Sequence, residues 1–541
     1  MSDSDRAWTR RHFLQVASRA GLISAIPNFA RAAARFDSDT VSISILHTTD
    51  LHGHILPTSD YQGTSGVGGL ARCVTQIHQW RRRYRNSILI DVGDVYQGTD
   101  VGLRSKGKLM IDLFNYLKYD AWIVGNHEFD WGIEPFLHVV ERSKMPVLAA
   151  NSLLEGRPAG EIADTKNPFA KIRPCILKEL AGIRIAIIGI ITPGLPFWLR
   201  PEFTRGFESA YPVEPVRRAI QKAISQGANA IILAGHMGLK ARIGGDDFAN
   251  SVMALTSEFP ETTAFIAGHT HQLISSRLTN GVLLTQSNHY GIHVGRLNLV
   301  FDRHSKRLVG RHAQCELMDD RFQLDRVVLS RAKPLLAESE IALAQPIGEL
   351  AETFRVHARP GEPTDVEKLI GAAIVESLRE RGVAVDGVIH GLFDDRNDFL
   401  SGPKRVKDIW NIIPYENYLV TAALTAEEIQ VVMEETYSSH EPRSLLGFHL
   451  QTEGVGAARR ITSITSGNGA PLERGRRYVI AMNSFDSRSA GHRFMKLRGL
   501  LDSPTVNCQL HPVQTRDALI DYFERHKVVR KIELRRLPVA A

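Results

Sequence analysis

The sequence predicts an α/β protein in which a central layered sheet is followed by a smaller α/β unit. Six short apolar runs of strand length recur in the first half of the chain, at 41–46, 87–91, 121–124, 185–191, 230–234 and 264–267. Helical stretches lie between several of them, for example at 69–84 and 212–226. Such alternation is typical of α/β sheets, in which ligands bind beyond the strand ends.

A second unit follows a candidate connecting helix. The strand pattern weakens over 302–322, and 324–344 is rich in Leu, Ala, Arg and Glu, which favours a helix. Beyond it we expect helices at 366–381 and 425–437 and strands at 383–389 and 478–482. With 541 residues the chain exceeds one ordinary domain. The predicted bounds are 1–36 for a signal peptide, 37–322 for a catalytic domain, 323–360 for the connector and 361–541 for a substrate-binding domain.

Composition excludes several classes of protein. The formal net charge is +7, but no Lys/Arg block with interleaved aromatic residues is present, so a polymeric nucleic acid is not an expected partner. No stretch after the N-terminal segment has the roughly 18 uninterrupted apolar residues that a membrane span needs. The four cysteines stand far apart and without CxxC spacing, which argues against a thiolate zinc site.

The N-terminal segment resembles a twin-arginine export signal. Arg10 and Arg11 precede Phe13 and Leu14, a weakly apolar stretch covers 16–29, and small-x-small cleavage patterns follow at 30–34. The alternative is an ordinary basic amphipathic helix. The resemblance predicts the twin-arginine machinery as a partner and the periplasm as the location.

Five polar loops carry the chemistry. Each follows an apolar run and combines glycine with carboxylate, amide or imidazole groups, at 49–53, 93–98, 125–130, 235–238 and 268–271. Phosphate ester hydrolysis needs an attacking oxygen at neutral pH and a clamp for developing negative charge, and two divalent cations about 3.5–4 Å apart supply both. Asp94 suits a bridging carboxylate. The mixed donors suit manganese, zinc, iron or cobalt without distinguishing them.

In this order the motifs Asp-x-His, Gly-Asp, Gly-Asn-His-Glu, Gly-His and Gly-His-x-His resemble the metallophosphatase signature. The fuller forms at 93–99 and 125–130 resemble the 5′-nucleotidase family of calcineurin-like metallophosphatases. The resemblance implies a four-layer α/β/β/α catalytic domain and a smaller α/β C-terminal domain. It also implies two metal sites that share a bridge, with ligands Asp50, His52, Asp94 and His271 for one and Asp94, Asn126, His236 and His269 for the other.

The resemblance assigns two further residues to catalysis. His127 is expected to stabilise the pentavalent phosphorus or the leaving oxygen, and Asp130 to orient His127. A histidine outside these motifs is more often a surface or core residue than a metal ligand. Under that interpretation His47, His54, His289 and His293 are not ligands, although His47 and His54 could support the first motif from behind.

Substrate recognition is where this chain departs from the family. The Asn-x-Gly-Gly-x-Arg loop is absent, and 391–397 takes its place, so that Arg396 is the candidate for the family arginine. Phe485 is the candidate base-stacking aromatic, with Tyr415 and Tyr418 as candidates for a second one. The ribose-binding aspartate of the Gly-Gly-Asp-Gly-aromatic motif is replaced by His492. These departures put nucleotide specificity in question and leave the hydrolase prediction intact.

The leading hypothesis is a periplasmic phosphoesterase that hydrolyses phosphate monoesters, foremost nucleotides, with a small anionic ester as its substrate. Alternatives are a 2′,3′-cyclic nucleotide phosphodiesterase or UDP-sugar hydrolase, and a thiosulfohydrolase-like sulfur-oxidation enzyme. The Asn-His-Glu run at 126–128 argues against the last. A non-enzymatic envelope protein would be expected to have lost ligands, and none is lost.

Overall fold

A computed structural model describes residues 39–240, 245–359, 362–393 and 395–534. The predicted signal peptide and its cleavage patterns lie outside the described residues. Within the described ranges, no helix is both long and apolar enough to cross a membrane.

Among the residues that the structure describes, the first unit contains two large sheets and two small ones. Its strands are β1 (Thr40–Thr48), β2 (Thr58–Ser59), β3 (Ser65–Val67), β4 (Ser87–Asp91), β5 (Ala121–Ile123), β6 (Val147–Leu148), β7 (Ser152–Leu154), β8 (Arg157–Pro158), β9 (Ile172–Arg173), β10 (Cys175–Leu180), β11 (Ile183–Ile191), β12 (Phe207–Ser209), β13 (Ala230–His236), β14 (Ala264–Ala267), β15 (Leu273–Thr279), β16 (Val282–Ser287), β17 (His293–Asp302) and β18 (Leu308–Leu317). One large sheet has the order β18-β17-β1-β4-β5-β6-β9 and the other β10-β11-β13-β14-β16-β15.

These two sheets pack face to face, with helices on both outer faces. Isoleucines such as Ile45, Ile90 and Ile187 fill the space between the sheets, and all three are fully buried. The helices are α1 (Leu70–Arg83), α2 (Asp100–Ser105), α3 (Lys108–Leu117), α4 (Ile133–Arg142), α5 (Val213–Ser225) and α6 (Val252–Glu258). The first four cover the seven-stranded sheet and the last two cover the other sheet. The predicted four-layer α/β/β/α architecture is therefore confirmed.

The connecting helix is α7 (Arg326–Ala344), which packs on the first unit through Val328 and Ala332. The second unit adds helices α8 (Asp365–Glu380), α9 (Val406–Ile412), α10 (Ala426–Tyr437), α11 (Ser484–Ser487), α12 (Met495–Leu501) and α13 (Thr515–His526). Its strands are β19 (Pro346–Leu350), β20 (Gly387–His390), β21 (Gly402–Arg405), β22 (Tyr418–Leu424), β23 (Ser444–Leu446), β24 (Phe448–Glu453), β25 (Arg460–Ser466), β26 (Tyr478–Asn483), β27 (Gln509–Gln514) and β28 (Val528–Val529). A five-stranded sheet of order β23-β20-β26-β22-β27 forms its centre.

One predicted irregular stretch is a strand. The pattern over 302–322 is weak, yet β18 runs for ten residues there and pairs antiparallel with β17. The strand lies at the sheet edge, and most of its side chains are only half-buried. An edge strand of this kind needs no continuous apolar run, which explains why the sequence pattern missed it.

The four cysteines are all free thiols, of which only Cys73 is fully buried.

Candidate metal centre

Six predicted ligands form two compact groups at one edge of the two sheets. The first group is Asp50, His52 and His271, and the second is Asp94, His236 and His269. Within each group the candidate ligand atoms all lie within 4.8 Å of one another. Asp94 lies between the groups, because its Oδ2 is 3.0 Å from His236 Nε2 and 3.8 Å from His52 Nε2. This is the position that a bridging carboxylate requires.

The ligands lie on strained backbone at the ends of strands. Five of the seven predicted ligands have a positive φ: Asp50 (51°), His52 (48°), Asp94 (55°), His269 (68°) and His271 (52°). This conformation is uncommon outside glycine and costs on the order of 1–3 kcal/mol per residue. Such strain persists where the surrounding structure over-determines it, and it clusters at functional sites. Here it turns consecutive strand ends toward a common point.

Glycines beside the ligands allow the loops to approach each other closely. A Cβ atom at Gly125 would lie 2.3 Å from Asp94 Oδ1, and one at Gly268 would lie 2.4 Å from the Thr49 hydroxyl oxygen. Glu128 connects two of these loops. Its Oε2 accepts hydrogen bonds from the backbone N–H groups of Asp94 and Gly125, and its Oε1 accepts one from Val95. The Glu of the Asn-His-Glu run is therefore a loop anchor.

Backbone carbonyls orient two of the imidazoles. His52 Nδ1 lies 2.9 Å from the Gln97 carbonyl oxygen, and His236 Nδ1 lies 2.6 Å from that of Val92. An imidazole that donates from Nδ1 presents the Nε2 lone pair, which is the arrangement typical of a metal-binding histidine with its supporting carbonyl. Both Nε2 atoms point toward Asp94.

His271 has a different support, which the sequence did not indicate. Tyr61 Oη lies 2.6 Å from His271 Nδ1, and the Tyr61 ring stacks on His289 at 4.1 Å between centroids. His289 stacks in turn on His271 at 4.9 Å. His289 therefore belongs to the wall of the centre and is not in either group of candidate ligands. His54 stacks on Tyr290 at 3.9 Å, one layer further out.

The residues at this centre fit two divalent cations. Asn126 Oδ1 is buried and has no hydrogen-bond partner, and His236 Nε2 faces the Asp94 carboxylate at 3.0 Å. Leaving the buried amide oxygen unpaired is costly, and a cation would satisfy it. The Asp50 and Asp94 side chains are also buried. Burial raises the pKa of Asp94, but the imidazoles of His236 and His127 outweigh it and hold that pKa well below its usual range. Carboxylates, imidazoles and an amide together are a suitable donor set for such cations.

His127 and Asp130 form a hydrogen-bonded pair beside the second group. His127 Nδ1 lies 2.8 Å from Asp130 Oδ2, so the ring's Nε2 is left for a substrate. Burial disfavours the imidazolium, but the carboxylates of Asp130 and Asp94 outweigh it and raise the pKa of His127 to about 10. Burial raises the pKa of Asp130 to about 6 against the opposing charge of His127. Bound cations, being positive charges, would oppose the rise at His127.

A cavity of about 510 Å³ opens next to this pair, between the two units. Asn126, His127, Asp130 and His269 lie on its wall together with residues of the second unit. The volume suits a small organic ligand. Its wall is rich in aromatic residues, which are Trp198, Phe203, Phe248, Phe393, Tyr415 and Phe485. The candidate metal ligands and a cavity for the rest of a substrate are therefore contiguous.

Comparison with known proteins identifies both units. Residues 43–273 match the family of calcineurin-like phosphoesterases, and residues 346–498 match the 5′-nucleotidase C-terminal domain. The chain is a calcineurin-like metallophosphatase with a 5′-nucleotidase C-terminal domain. The two candidate ligand groups lie within the first of these domains, as this family implies.

Curated relatives match part of this metallophosphatase. A snake venom 5′-nucleotidase of Crotalus adamanteus is 30% identical over 285 residues, which is 50% of this chain and 47% of the relative. A 2′,3′-cyclic-nucleotide 2′-phosphodiesterase/3′-nucleotidase of Salmonella typhimurium is 27% identical over 315 residues, which is 52% of this chain and 47% of the relative. The chain thus spans about half the length of these relatives.

Solved structures match nearly the whole chain. A 5′-nucleotidase precursor of Thermus thermophilus superposes with a TM-score of 0.68 at 21% identity, over 90% of this chain and 97% of that one. A sulfate thiohydrolase of the same organism superposes with a TM-score of 0.61 at 15% identity, over 90% and 95%. Likeness at such low identity establishes the two-domain fold and does not choose among activities.

The three predicted substrate residues lie in different places in the metallophosphatase. Phe485 is half-buried and lines the cavity. Arg396 is exposed, does not line the cavity, and donates through Nη1 to the Tyr61 carbonyl at 3.3 Å. His492 is exposed, does not line the cavity, and stacks on Phe248 with 5.1 Å between the ring centroids. The substrate roles of all three remain predictions.

Two other aromatic residues were weighed as stacking partners. Tyr415 lines the cavity, and its ring lies nearly parallel to that of His127, with 6.3 Å between the centroids. Tyr418 does not line the cavity and packs instead against Phe203 at 5.2 Å. The structure therefore brings Tyr415, and not Tyr418, next to the His127–Asp130 pair.

Several cavity residues were missed by the sequence interpretation. Arg443 is buried and makes a two-pronged ion pair with Asp486, with both N–O distances 3.0 Å. Arg493 pairs with Glu441 at 2.6 Å, and its guanidinium lies 5.9 Å from the centroid of the Phe485 ring. These residues are scattered along the chain without a recurring spacing, so only the three-dimensional structure reveals that they line one cavity.

Proposed function

We propose that this chain is a dinuclear-metal phosphoesterase that hydrolyses phosphate monoesters, foremost nucleotides. The observation that carries the proposal is that the two ligand groups meet at Asp94, and that His269, the unpartnered Asn126 and the His127–Asp130 pair beside them line one cavity. The nucleotide part rests on the C-terminal domain match and on the relatives named above.

The proposed ligands are those that the sequence indicates. Asp50, His52 and His271 hold one cation, His236, His269 and Asn126 hold the other, and Asp94 bridges them. Two such cations would supply an oxygen nucleophile at neutral pH and neutralise the charge of the phosphate group. Manganese, zinc, iron and cobalt all suit these donors, and the donor set does not choose among them.

The chain's own residues do the rest of the chemistry. Asp130 accepts from His127 Nδ1 and so fixes the orientation of the ring. The opposite ring nitrogen then faces the cavity, where it can donate to a phosphate oxygen or to the leaving oxygen as negative charge develops. The aromatic wall, with Phe485 and Tyr415 as the predicted stacking residues, holds the leaving group and excludes water from it.

Cyclic nucleotides are a second candidate substrate class, which the Salmonella typhimurium relative favours. A thiosulfohydrolase activity has support only from the fold. A substrate panel separates these possibilities. With manganese added, nucleotide monophosphates should release phosphate faster than cyclic nucleotides, UDP-sugars or sugar phosphates, and no sulfate should be released from thiol-linked sulfate. Sulfate release without phosphate release would overturn the proposal.

We propose further that Arg10 and Arg11 direct export through the twin-arginine pathway to the periplasm. We also propose the domain bounds, which are 37–322 for the catalytic domain, 323–360 for the connector and 361–541 for the substrate-binding domain. Replacing both arginines with lysine should leave the precursor in the cytoplasm, as cell fractionation and immunoblotting would detect. Export of the double variant at the normal level would contradict the assignment.

A further inference from the structure

A buried chain of polar contacts runs from the C-terminal domain to the candidate metal ligand His52. The carbonyl oxygen of Gln97 lies 2.9 Å from His52 Nδ1. The side-chain amide of the same glutamine donates to Glu416 Oε2 at 2.5 Å. Gln97 belongs to the first domain and Glu416 to the second. Gln97 therefore connects the backbone carbonyl that orients His52 with the C-terminal domain.

Glu416 is itself fixed in place. Arg516 Nη2 donates to Glu416 Oε1 at 2.8 Å, and Arg516 Nη1 donates to the Ile413 carbonyl at 3.3 Å. The Arg516 guanidinium lies 3.5 Å from the centroid of the Trp410 ring. The exposed fraction is 1% for Gln97 and Arg516 and 5% for Glu416. A buried carboxylate is stable only where it is paired, and Arg516 supplies that pairing. The Glu416 carboxylate is therefore held in a fixed position in which it accepts from the Gln97 amide.

The Gln97 peptide packs directly on the ligand that it supports. Gly98 follows Gln97, and a Cβ atom at Gly98 would lie 2.9 Å from His52 Cβ and 2.9 Å from the His52 carbonyl oxygen. With so little space, a shift of this peptide changes the direction of the carbonyl that holds His52 Nδ1. Groups behind a ligand commonly affect metal affinity or activity by about 10- to 100-fold.

We propose that Glu416 is a positioning residue for His52, and that it acts by holding the side chain of Gln97. The inference rests on the proposed two-cation function. It assigns to the second domain a part in assembling the metal centre, separate from any contact with substrate. Glu416 lines the cavity as well, but the role proposed here depends on its contacts with Gln97 and Arg516.

An exchange of the two side chains tests this inference. Gln97→Glu places two carboxylates against each other in a buried position, which is strongly unfavourable. Glu416→Gln alone removes the negative charge and replaces one of the two acceptor oxygens with an NH2 group, so that either the Gln97 amide or Arg516 faces another donor. The double variant Gln97→Glu/Glu416→Gln restores one carboxylate and one amide with donor and acceptor exchanged. The backbone carbonyl that faces His52 is present in all three variants.

Mn²⁺ binding to the metal-free full chain is the direct readout, followed by electron paramagnetic resonance. We expect Gln97→Glu to weaken Mn²⁺ binding by about tenfold or more. We also expect it to lower kcat on an aryl phosphate while KM changes little. The double variant should recover most of both losses. Asp517→Asn is the matched control, because Asp517 neighbours Arg516 on the same helix and is exposed. It should behave as the unaltered protein.

The possible results separate the two levels of the proposal. Unchanged Mn²⁺ affinity in Gln97→Glu, or a double variant no better than Gln97→Glu, would overturn the positioning role while the proposed function stands. An unaltered protein that binds no Mn²⁺ would overturn both. If Gln97→Glu does not fold, Gln97→Met removes the amide without adding a charge. It should weaken Mn²⁺ binding severalfold in a chain that still folds, and unchanged binding would count against the inference.

Discussion

The backbone N–H of His127 donates to Asp94 Oδ1 at 2.9 Å. The carboxylate that lies between the two ligand groups thus also fixes the start of the short helical turn that carries the His127 imidazole. Asp94 Oδ2 faces His236, and Asp94 Oδ1 faces His127. One side chain therefore sets the distance between the proposed cations and His127, which is proposed to act on the leaving oxygen.

Removal of the His127 imidazole should lower turnover without removing metal. The ring is not in either ligand group, and it faces the cavity where charge develops. His127→Ala should reduce kcat by about 10²- to 10⁴-fold, the usual contribution of a positioned acid or base. Steady-state kinetics and metal analysis by mass spectrometry measure the two effects.

Asp130→Asn is the companion change. It keeps the size of the side chain and weakens only the orientation of His127, so its kcat should lie between those of His127→Ala and the unaltered protein. A loss of bound metal in His127→Ala as large as the loss in a ligand variant would contradict the assignment of this pair.

Phe485→Ala should affect one class of substrate. Stacking of a base on an aromatic ring is worth about 1–3 kcal/mol, which corresponds to roughly ten- to hundredfold in kcat/KM for nucleotides. A small aryl or sugar phosphate should lose much less, because it has no base to stack. Measurement of kcat/KM for both substrates on this variant distinguishes a stacking role from a packing role. An equal loss on both would mean that Phe485 serves packing, and the nucleotide assignment would then fall while the phosphoesterase assignment stood.

Tyr61→Phe should weaken metal binding at the first ligand group. The phenol oxygen lies 2.6 Å from His271 Nδ1, and it is the partner that would fix the Nε2 lone pair on the metal side. Loss of such a partner commonly costs about 10- to 100-fold in metal affinity or activity. Titration of the metal-free protein with Mn²⁺ measures this. Tyr84→Phe, on a tyrosine of the same domain outside the centre, is the control, and equal affinities in the two variants would contradict the role of Tyr61.

Glu128→Ala should reduce stability as well as activity. The buried carboxylate accepts hydrogen bonds from three backbone N–H groups, and its removal leaves all three without this acceptor. At about 1–3 kcal/mol for each buried unsatisfied group, a loss of at least about 3 kcal/mol in the free energy of unfolding is expected. Urea unfolding followed by circular dichroism measures it. A change below about 1 kcal/mol would show that Glu128 does not anchor these loops.

The sequence predicted most of the first domain, because its signals are local. Each strand is an apolar run that ends in a glycine-containing polar loop, and both properties survive in the structure of β1, β4 and β13. The ligand residues could be predicted for the same reason, since each lies within a few residues of a strand end. The edge strand β18 was missed because its exposure removes the apolar signal.

The cavity could not be predicted in the same way. Its wall combines Trp198, Arg443 and Phe485 from distant parts of the chain, and their proximity depends on how the two domains pack. Conversely, the sequence assigned His492 to the substrate site, although it does not line the cavity. Its position in a motif placed it among the predicted substrate residues, whereas in the structure it is exposed and stacks on Phe248. Similarly, the contact between Arg396 and the Tyr61 carbonyl crosses the domain boundary, which no local pattern encodes.

The proposed function depends above all on one carboxylate, Asp94, bridging two catalytic divalent cations. The decisive measurement is metal content together with aryl phosphate hydrolysis, on the unaltered protein and on Asp94→Asn. We expect two cations per chain, loss of activity on chelation and its return with manganese. Asp94→Asn should lose more activity than His52→Ala or His236→Ala, because the bridge serves both cations. Activity that persists after exhaustive chelation, or an Asp94→Asn variant with full metal content and full activity, would contradict the bridging role.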